Sequence, residues 1–194
     1  MRGRVSMRSQ YDQMGVELYY TSHACSYRNP HFPQLVNALV QSLETFSFDF
    51  LQDSHLRFLD LACGSGEATL ALRIWQNRFH PELKISEHAC DPFTQLAFQE
   101  RVGLEAKHWG FEDIARGVLG DRVQFDLVIC SFALHLLDSS RMYSTMTALA
   151  QAARVLVVVS PHKKPEMKPE WGWQLVQQTL IERIHVRIFK SSFK

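Results

Sequence analysis

The sequence predicts a doubly wound α/β domain, a mostly parallel sheet with helices on both faces, with an N-terminal helical extension and a shortened C-terminal end. Three observations carry this reading. Strand-like and helix-like patterns alternate from residue 54 to residue 160. Two of the strand-like runs, Leu127-Val128-Ile129-Cys130 and Val155-Leu156-Val157-Val158-Val159, are apolar at every position, as strands buried on both faces are. Between the first strand and the first helix of the series lies a tight glycine-bearing turn, Asp60-Leu61-Ala62-Cys63-Gly64-Ser65-Gly66.

Taken in order, Tyr11 to about His23 suits a short helix, broken by Ser26-Tyr27-Arg28-Asn29-Pro30-His31-Phe32-Pro33. A second helix is expected over Gln34–Phe46, with Leu35, Leu39, Val40 and Leu43 on one face. Strands are expected at Arg57–Leu61, Lys84–Cys90, Leu104–Trp109, Phe125–Ser131 and Arg154–Ser160. Helices are expected between them at Glu67–Phe79, Pro92–Val102 and Arg141–Ala152. The tail from Trp173 to Ile188 has Val176, Leu180, Ile184, Val186 and Ile188 on one period-two face, with a helix over its first half as the alternative. At 194 residues the chain reads as one domain. Residues 1–53 form a helical extension or lid, 54–160 a ligand-binding core, and 161–194 a C-terminal strand or hairpin.

A net charge of +1 supplies no general attraction to nucleic acid or to a membrane surface. The basic residues thicken only at Arg2, Arg4 and Arg8 and again from Lys163 to Lys168, both short enough for solvated surface. Cys25, Cys63, Cys90 and Cys130 lack the paired spacing of a zinc site or a redox dithiol, so no metal is expected and a reducing, cytoplasmic compartment is the default. No apolar run approaches the ~18 residues of a membrane span.

Ligand chemistry in such a fold gathers at the carboxyl ends of the strands. Gly64 and Gly66 let the backbone turn and approach a ligand, and the following helix N-terminus carries partial positive charge. Asp60 ends the first strand and Asp91 follows the second, where a carboxylate accepts hydrogen bonds from ribose hydroxyls. The dinucleotide pattern G-x-G-x-x-G/A is met imperfectly: counting from Gly64 its third slot holds Thr69, and from Ala62 it holds Glu67. An acid before the turn suits a ligand with a cationic amino group better than a pyrophosphate.

On these residues the segment from about Phe58 to Ser160 resembles the class I methyltransferase family, whose cofactor is S-adenosylmethionine. Asp60, Ala62, Gly64 and Gly66 match that family's acid and Gly-x-Gly-x-Gly, with Ala62 in place of the first glycine. Asp91 resembles the family's ribose-binding acid, with Pro92 and Phe93 beside it; Phe93 covers the adenine or packs beneath the next helix. Phe111-Glu112-Asp113 resembles the segment flanking the adenine, or marks a helix start. Asp126 lies in the Phe125-Asp126-Leu127-Val128 run that opens the family's fourth strand. Ser131-Phe132-Ala133-Leu134-His135 stands where the transferred methyl lies. The resemblance implies cofactor binding by Asp60, Ala62, Cys63, Gly64, Ser65, Gly66, Asp91, Pro92, Phe93, Phe111, Glu112, Asp113 and Ser131. It also implies an N-terminal lid in which Tyr20 and Arg28 take part, with Arg28 pairing the methionine carboxylate.

Transfer from a sulfonium needs alignment above all, and a general base only where the acceptor must lose a proton. His135 is the candidate base, or a packing histidine; His162 is a second candidate. The segment after Cys130 lacks the acid-or-Asn-Pro-Pro-aromatic run of DNA amino-methylating enzymes, and Cys130 is not preceded by Pro. A small-molecule oxygen or nitrogen acceptor is therefore expected, with protein or RNA acceptors as alternatives. Only Pro161–Lys194 follows the last core strand, which leaves a more open acceptor pocket, to be closed by a partner subunit, a second copy or the N-terminal segment. A catalytically silent cofactor-binding module or subunit of a larger methyltransferase is the competing reading.

Overall fold

In the computed structural model, which describes residues 28–46, 54–120 and 124–193, six strands form one sheet. They are β1 (His55–Leu61), β2 (Lys84–Cys90), β3 (Phe125–Ser131), β4 (Ala153–Ser160), β5 (Trp173–Ile181) and β6 (Ile184–Ser191). Their spatial order is β2-β1-β3-β4-β6-β5. The first four run parallel; β6 returns antiparallel beside β4, and β5 pairs antiparallel with the outer edge of β6. The helices are α1 (Phe32–Glu44), α2 (Glu67–Phe79), α3 (Gln95–Val102), α4 (Phe111–Ala115) and α5 (Ser139–Ala152), with 3-10 turns at Leu134–Leu136 and Pro169–Trp171.

Alternation along the strands distributes the core over two faces. Phe58, Leu127, Ile129, Val155, Val157 and Val159 pack towards α1 and α2. Leu59, Leu61, Val128, Cys130, Leu156 and Val158 pack towards α5 and the Pro169–Trp171 turn. All seven residues of β3 are buried, as befits a central strand whose middle, Leu127–Cys130, is apolar throughout. The α1 helix opens with Pro33 in its first turn, where a missing N–H costs nothing. It is tied to the hairpin by Ser42 Oγ and Thr179 Oγ1 (2.6 Å) and by Gln177 Nε2 donating to the Ser42 carbonyl (3.0 Å).

One expected strand and one expected face are corrected. Leu104–Trp109 is not a strand: Lys107 alone bridges to Cys90, its N–H donating to Ala89 O and its carbonyl accepting from Asp91 N–H. The segment lies at the sheet edge and lacks an alternating apolar face, so nothing extends the pairing beyond one residue. The tail is a hairpin, with no helix over its first half. It turns at Glu182-Arg183, both with positive φ (48° and 67°), and its pairing shifts register between Leu175 and Gln177. Turn and shift divide the expected single face: Ile184, Val186 and Ile188 are buried, while Val176 and Leu180 are exposed. The expected Tyr11–His23 helix, Tyr20 and the greater part of the expected lid lie outside the described residues.

No helix among the described residues is long and apolar enough to cross a membrane. No group of His, Cys, Asp and Glu among them could hold a metal ion. Cys63, Cys90 and Cys130 are buried free thiols. Burial pushes all three up, Cys90 to about 12, which leaves no thiolate nucleophile among them.

Candidate functional site

A cleft opens at the carboxyl ends of β1, β2 and β3, where parallel-sheet topology concentrates loops. One wall is the turn after β1, contributing Leu61, Ala62, Cys63 and Gly64, with Glu67 from the start of α2 and Asn29 from ahead of α1. Asp91, Pro92 and Phe93 follow β2; Trp109, Gly110 and Phe111 precede and begin α4; Ser131, Phe132, Ala133 and Leu136 follow β3. The lining among the described residues holds two carboxylates, Glu67 and Asp91, and no Lys, Arg or His.

The glycine turn is built for close packing. Gly66 sits at φ 86° against α3, and a Cβ there would lie 2.2 Å from Val102 Cγ2. Ala62 adopts φ 54°, so it carries a side chain in a conformation that favours glycine, a local strain of order 1 kcal/mol. Asp91 welds this turn to the end of β2. Its Oδ1 accepts from the N–H groups of Phe93 (2.8 Å) and Thr94 (3.0 Å), and its Oδ2 accepts from Gly64 N–H (3.2 Å). That carboxylate is held in place by three amides and faces the cleft.

Asp60 plays a different part from the one its sequence position suggested. It is fully buried beneath the turn and does not line the cleft. Its Oδ2 accepts from Thr69 N–H (3.0 Å) and Thr69 Oγ1 (2.7 Å), while Oδ1 is buried with no partner. Burial raises its carboxyl to about 8 against the opposing pull of the Thr69 bonds, so it holds a proton at neutral pH.

Glu67 is the acid that sequence reasoning missed as a site residue. Its carboxylate accepts from Ser65 Oγ (2.5 Å), Ser65 N–H (3.1 Å), Asn29 N–H (3.1 Å) and Arg101 Nη1 (2.8 Å). Arg101 also stacks over Phe32 at 4.3 Å, so one buried ion pair joins the glycine turn, α3 and the segment entering α1. An acid following a Gly-Ser-Gly turn reads first as a helix-start residue, which hid this role.

The structure thus brings Ala62, Cys63, Gly64, Asp91, Pro92, Phe93, Phe111 and Ser131 together around one cleft. Ser65 and Gly66 support the turn from behind without lining it. Asp113 is occupied in receiving Gly110 N–H (2.9 Å) at the start of α4, and Glu112 pairs on the surface with Arg116 and Arg141. Arg28 is exposed. His135 is exposed on the Leu134–Leu136 turn, beside cleft-lining Leu136 but not itself in the lining. Asp126 lies at the other end of its strand, gripped by Arg57. Trp109 is a lining residue that the sequence did not single out, the aromatic density around Trp109 and Phe111 being the available signal, and Phe132 lines the cleft from the segment expected beside the transferred methyl. Phe132 takes φ 56°, its N–H held by Val159 O (2.8 Å), and His31 stacks on its ring at 5.9 Å.

No family model matches the chain. An uncharacterized protein of Schizosaccharomyces pombe is 39% identical, over 96% of this chain and 92% of the relative. Among solved structures, a magnesium protoporphyrin IX methyltransferase from Synechocystis with bound S-adenosylmethionine matches with TM-score 0.55 and 15% identity, covering 98% of this chain and 99% of that one. A 1,6-didemethyltoxoflavin-N1-methyltransferase from Burkholderia thailandensis, with its substrate and S-adenosylhomocysteine bound, matches with TM-score 0.63 and 10% identity over 99% and 93%. An O-methyltransferase family protein from Burkholderia thailandensis matches with TM-score 0.60 and 15% identity, over 95% of this chain and 62% of that one. At these identities the likeness is one of fold.

Proposed function

This chain belongs to the same family as the fission-yeast protein and has the class I methyltransferase fold, and from that premise we propose that it transfers a methyl group from S-adenosylmethionine to a small-molecule oxygen or nitrogen. The observation that carries the reading is the carboxylate of Asp91 at the cleft, held by amides alone, in a lining that has no cation among the described residues. A pyrophosphate would meet repulsion there, whereas ribose hydroxyls and an ammonium or sulfonium group find acceptors. The carboxylate of Asp91 and the Ala62–Gly64 backbone beside it both fit such a ligand.

In this reading the whole chain is one domain, with residues 1–53 covering the cleft, 54–160 holding the cofactor and 161–194 flanking the acceptor. Asp91 receives the ribose hydroxyls. Ala62, Cys63 and Gly64 present backbone to the amino-acid end, while Asp60, Ser65 and Gly66 hold the turn in shape. Pro92, Phe93 and Phe111 enclose the adenine, and Glu112 and Asp113 fix the start of α4 beside it. Ser131 lies towards the sulfur. Arg28, one residue before cleft-lining Asn29, is the candidate partner for the methionine carboxylate, with Tyr20 as a further lid residue. When bound, the cofactor supplies an activated methyl group, and the protein's task is alignment and exclusion of water. His135 is the candidate base on the acceptor side, needed only for acceptors that must lose a proton. Three buried free thiols suit a reducing, cytoplasmic setting.

The test is release of S-adenosylhomocysteine by the purified chain over a panel of phenols, amines and carboxylic acids. Turnover with a member of the panel supports the enzyme reading. Tight cofactor binding without turnover on any small molecule, peptide or RNA supports the silent module.

A further inference from the structure

Beyond the cleft, a second group of charged and titratable side chains gathers where β4 ends and β6 begins. His135, on the turn whose neighbours Ala133 and Leu136 line the cleft, meets the ring of His162 edge-on at 5.1 Å. His162 belongs to the loop that leaves β4, and Arg187 of β6 holds that same loop. The Nη1 of Arg187 donates to the carbonyls of Lys163 (2.8 Å) and Pro165 (2.7 Å), and Nη2 reaches Lys164 O at 3.4 Å. Arg187 is only 4% exposed, makes no ion pair among the described residues, and has a buried Nε with no partner. Two residues earlier on the same face of β6, the Nδ1 of His185 is also buried without a partner. Burial first, then the charges of Lys163, Arg187 and His162, hold the His185 imidazole below the ordinary histidine range.

Such an arrangement is unbalanced. The side chain of Lys163 has no acidic partner among the described residues either. Of the nearby acids, Glu166 is exposed in the loop, and Glu182 is engaged with Asn37 at the β5–β6 turn. A buried guanidinium answered by carbonyl dipoles and by the Phe189 ring at 5.9 Å, with two orphaned nitrogens on one strand face and a lysine and two histidines around it, favours an incoming anion.

We propose that this basic corner is an anion subsite for the methyl acceptor, which is therefore a small molecule bearing a carboxylate or phosphate. The exposed side chains of His135, His162 and Lys163 contact the anion, and Arg187 supplies positive field from beneath. The position fits the role, since the corner adjoins the Phe132–Leu136 wall of the cleft while the carboxylates that suit the cofactor stand at the β1 and β2 ends. The inference rests on the methyltransferase reading above.

The full chain saturated with S-adenosylhomocysteine is titrated with succinate, citrate, inorganic phosphate and the neutral analogue succinamide, followed by calorimetry and by imidazole resonances of His135, His162 and His185. At least one anion is expected to bind about tenfold more tightly than the amide and to shift those resonances. Lys163→Gln and His162→Gln, both at exposed positions, are expected to reduce that affinity about fivefold each while leaving the affinity for S-adenosylhomocysteine unchanged. A preference for the carboxylates or for phosphate names the anion within the class. Binding of S-adenosylhomocysteine with no preference for anions, or anion binding that both variants leave intact, overturns this proposal and leaves the methyltransferase reading standing. Absence of S-adenosylhomocysteine binding overturns both.

Discussion

At the carboxyl ends of β1 and β2 the buried ionised acids are Asp91, met by the N–H groups of Phe93, Thr94 and Gly64, and Glu67, met by those of Ser65 and Asn29 and by Arg101, while Asp60 beneath them is protonated. At the end of β4 and the start of β6 the buried charge is Arg187, met by the carbonyls of Lys163, Lys164 and Pro165. One region of the sheet edge stores negative charge on amides, the other positive charge on carbonyls. The difference teaches that a single edge presents opposite fields at its two ends, and that backbone dipoles make each buried charge tolerable.

The comparison breaks most violently at the glycine turn. Gly66→Ala puts a methyl group into Val102 and keeps an unfavourable φ, and a loss of about 3 kcal/mol is expected. Thermal unfolding should show it as a fall of about 6–12 °C, and an unchanged midpoint would mean that the turn is not packed against α3 as described.

Asp91→Ala removes the acid that faces the cleft. Affinity for S-adenosylmethionine should fall by about 1–3 kcal/mol, read by calorimetry, with anion binding at the basic corner retained. Equal loss at both regions would show that they are not separate.

Asp60 gives a sharper probe of the acidic end, because its carboxyl is raised to about 8 when folded. Between its unfolded value near 3.9 and that folded value, the native state holds one proton more than the unfolded state, so this group makes stability fall as pH rises, by at most ~1.4 kcal/mol per unit. Stability is undiminished by it below about pH 4 and the loss is complete by about pH 8. Asp60→Asn should flatten the denaturant-measured stability profile over that interval; a profile identical in slope to the parent would refute the buried, protonated assignment.

The smallest effect is expected at the opposite end of the strands. Asp126 is held below the ordinary carboxylate range by the Arg57 guanidinium and backbone, against the cost of burial. Its contribution is present above the unfolded pKa and is lost as pH falls. Because Arg57 is over one-third exposed, Asp126→Asn should cost no more than about 1 kcal/mol and leave cofactor affinity untouched.

What could be read from sequence was what neighbours along the chain decide. The all-apolar runs of β3 and β4 announce burial on both faces, and the Asp60–Gly66 turn with Asp91 after β2 announces where the loops open into a cleft. Glu67 and Trp109 escaped because lining a cleft depends on which distant loops meet. Glu67 becomes a site residue only through Arg101 of α3 and Asn29 ahead of α1. The β5–β6 turn was hidden for a local reason: Glu182 and Arg183 take positive φ without the glycine or asparagine that usually marks such a turn. Arg187 could not be singled out, since one arginine in a strand is ordinary until the residues around it prove to include no acid.

The most direct test of the central claim is a calorimetric titration of the purified chain with S-adenosylmethionine and, separately, with NAD. Saturable one-to-one binding of S-adenosylmethionine with none of NAD is the result expected of a cleft lined by Glu67 and Asp91 without a cation. Binding of NAD in preference, or of neither by folded protein, would contradict it.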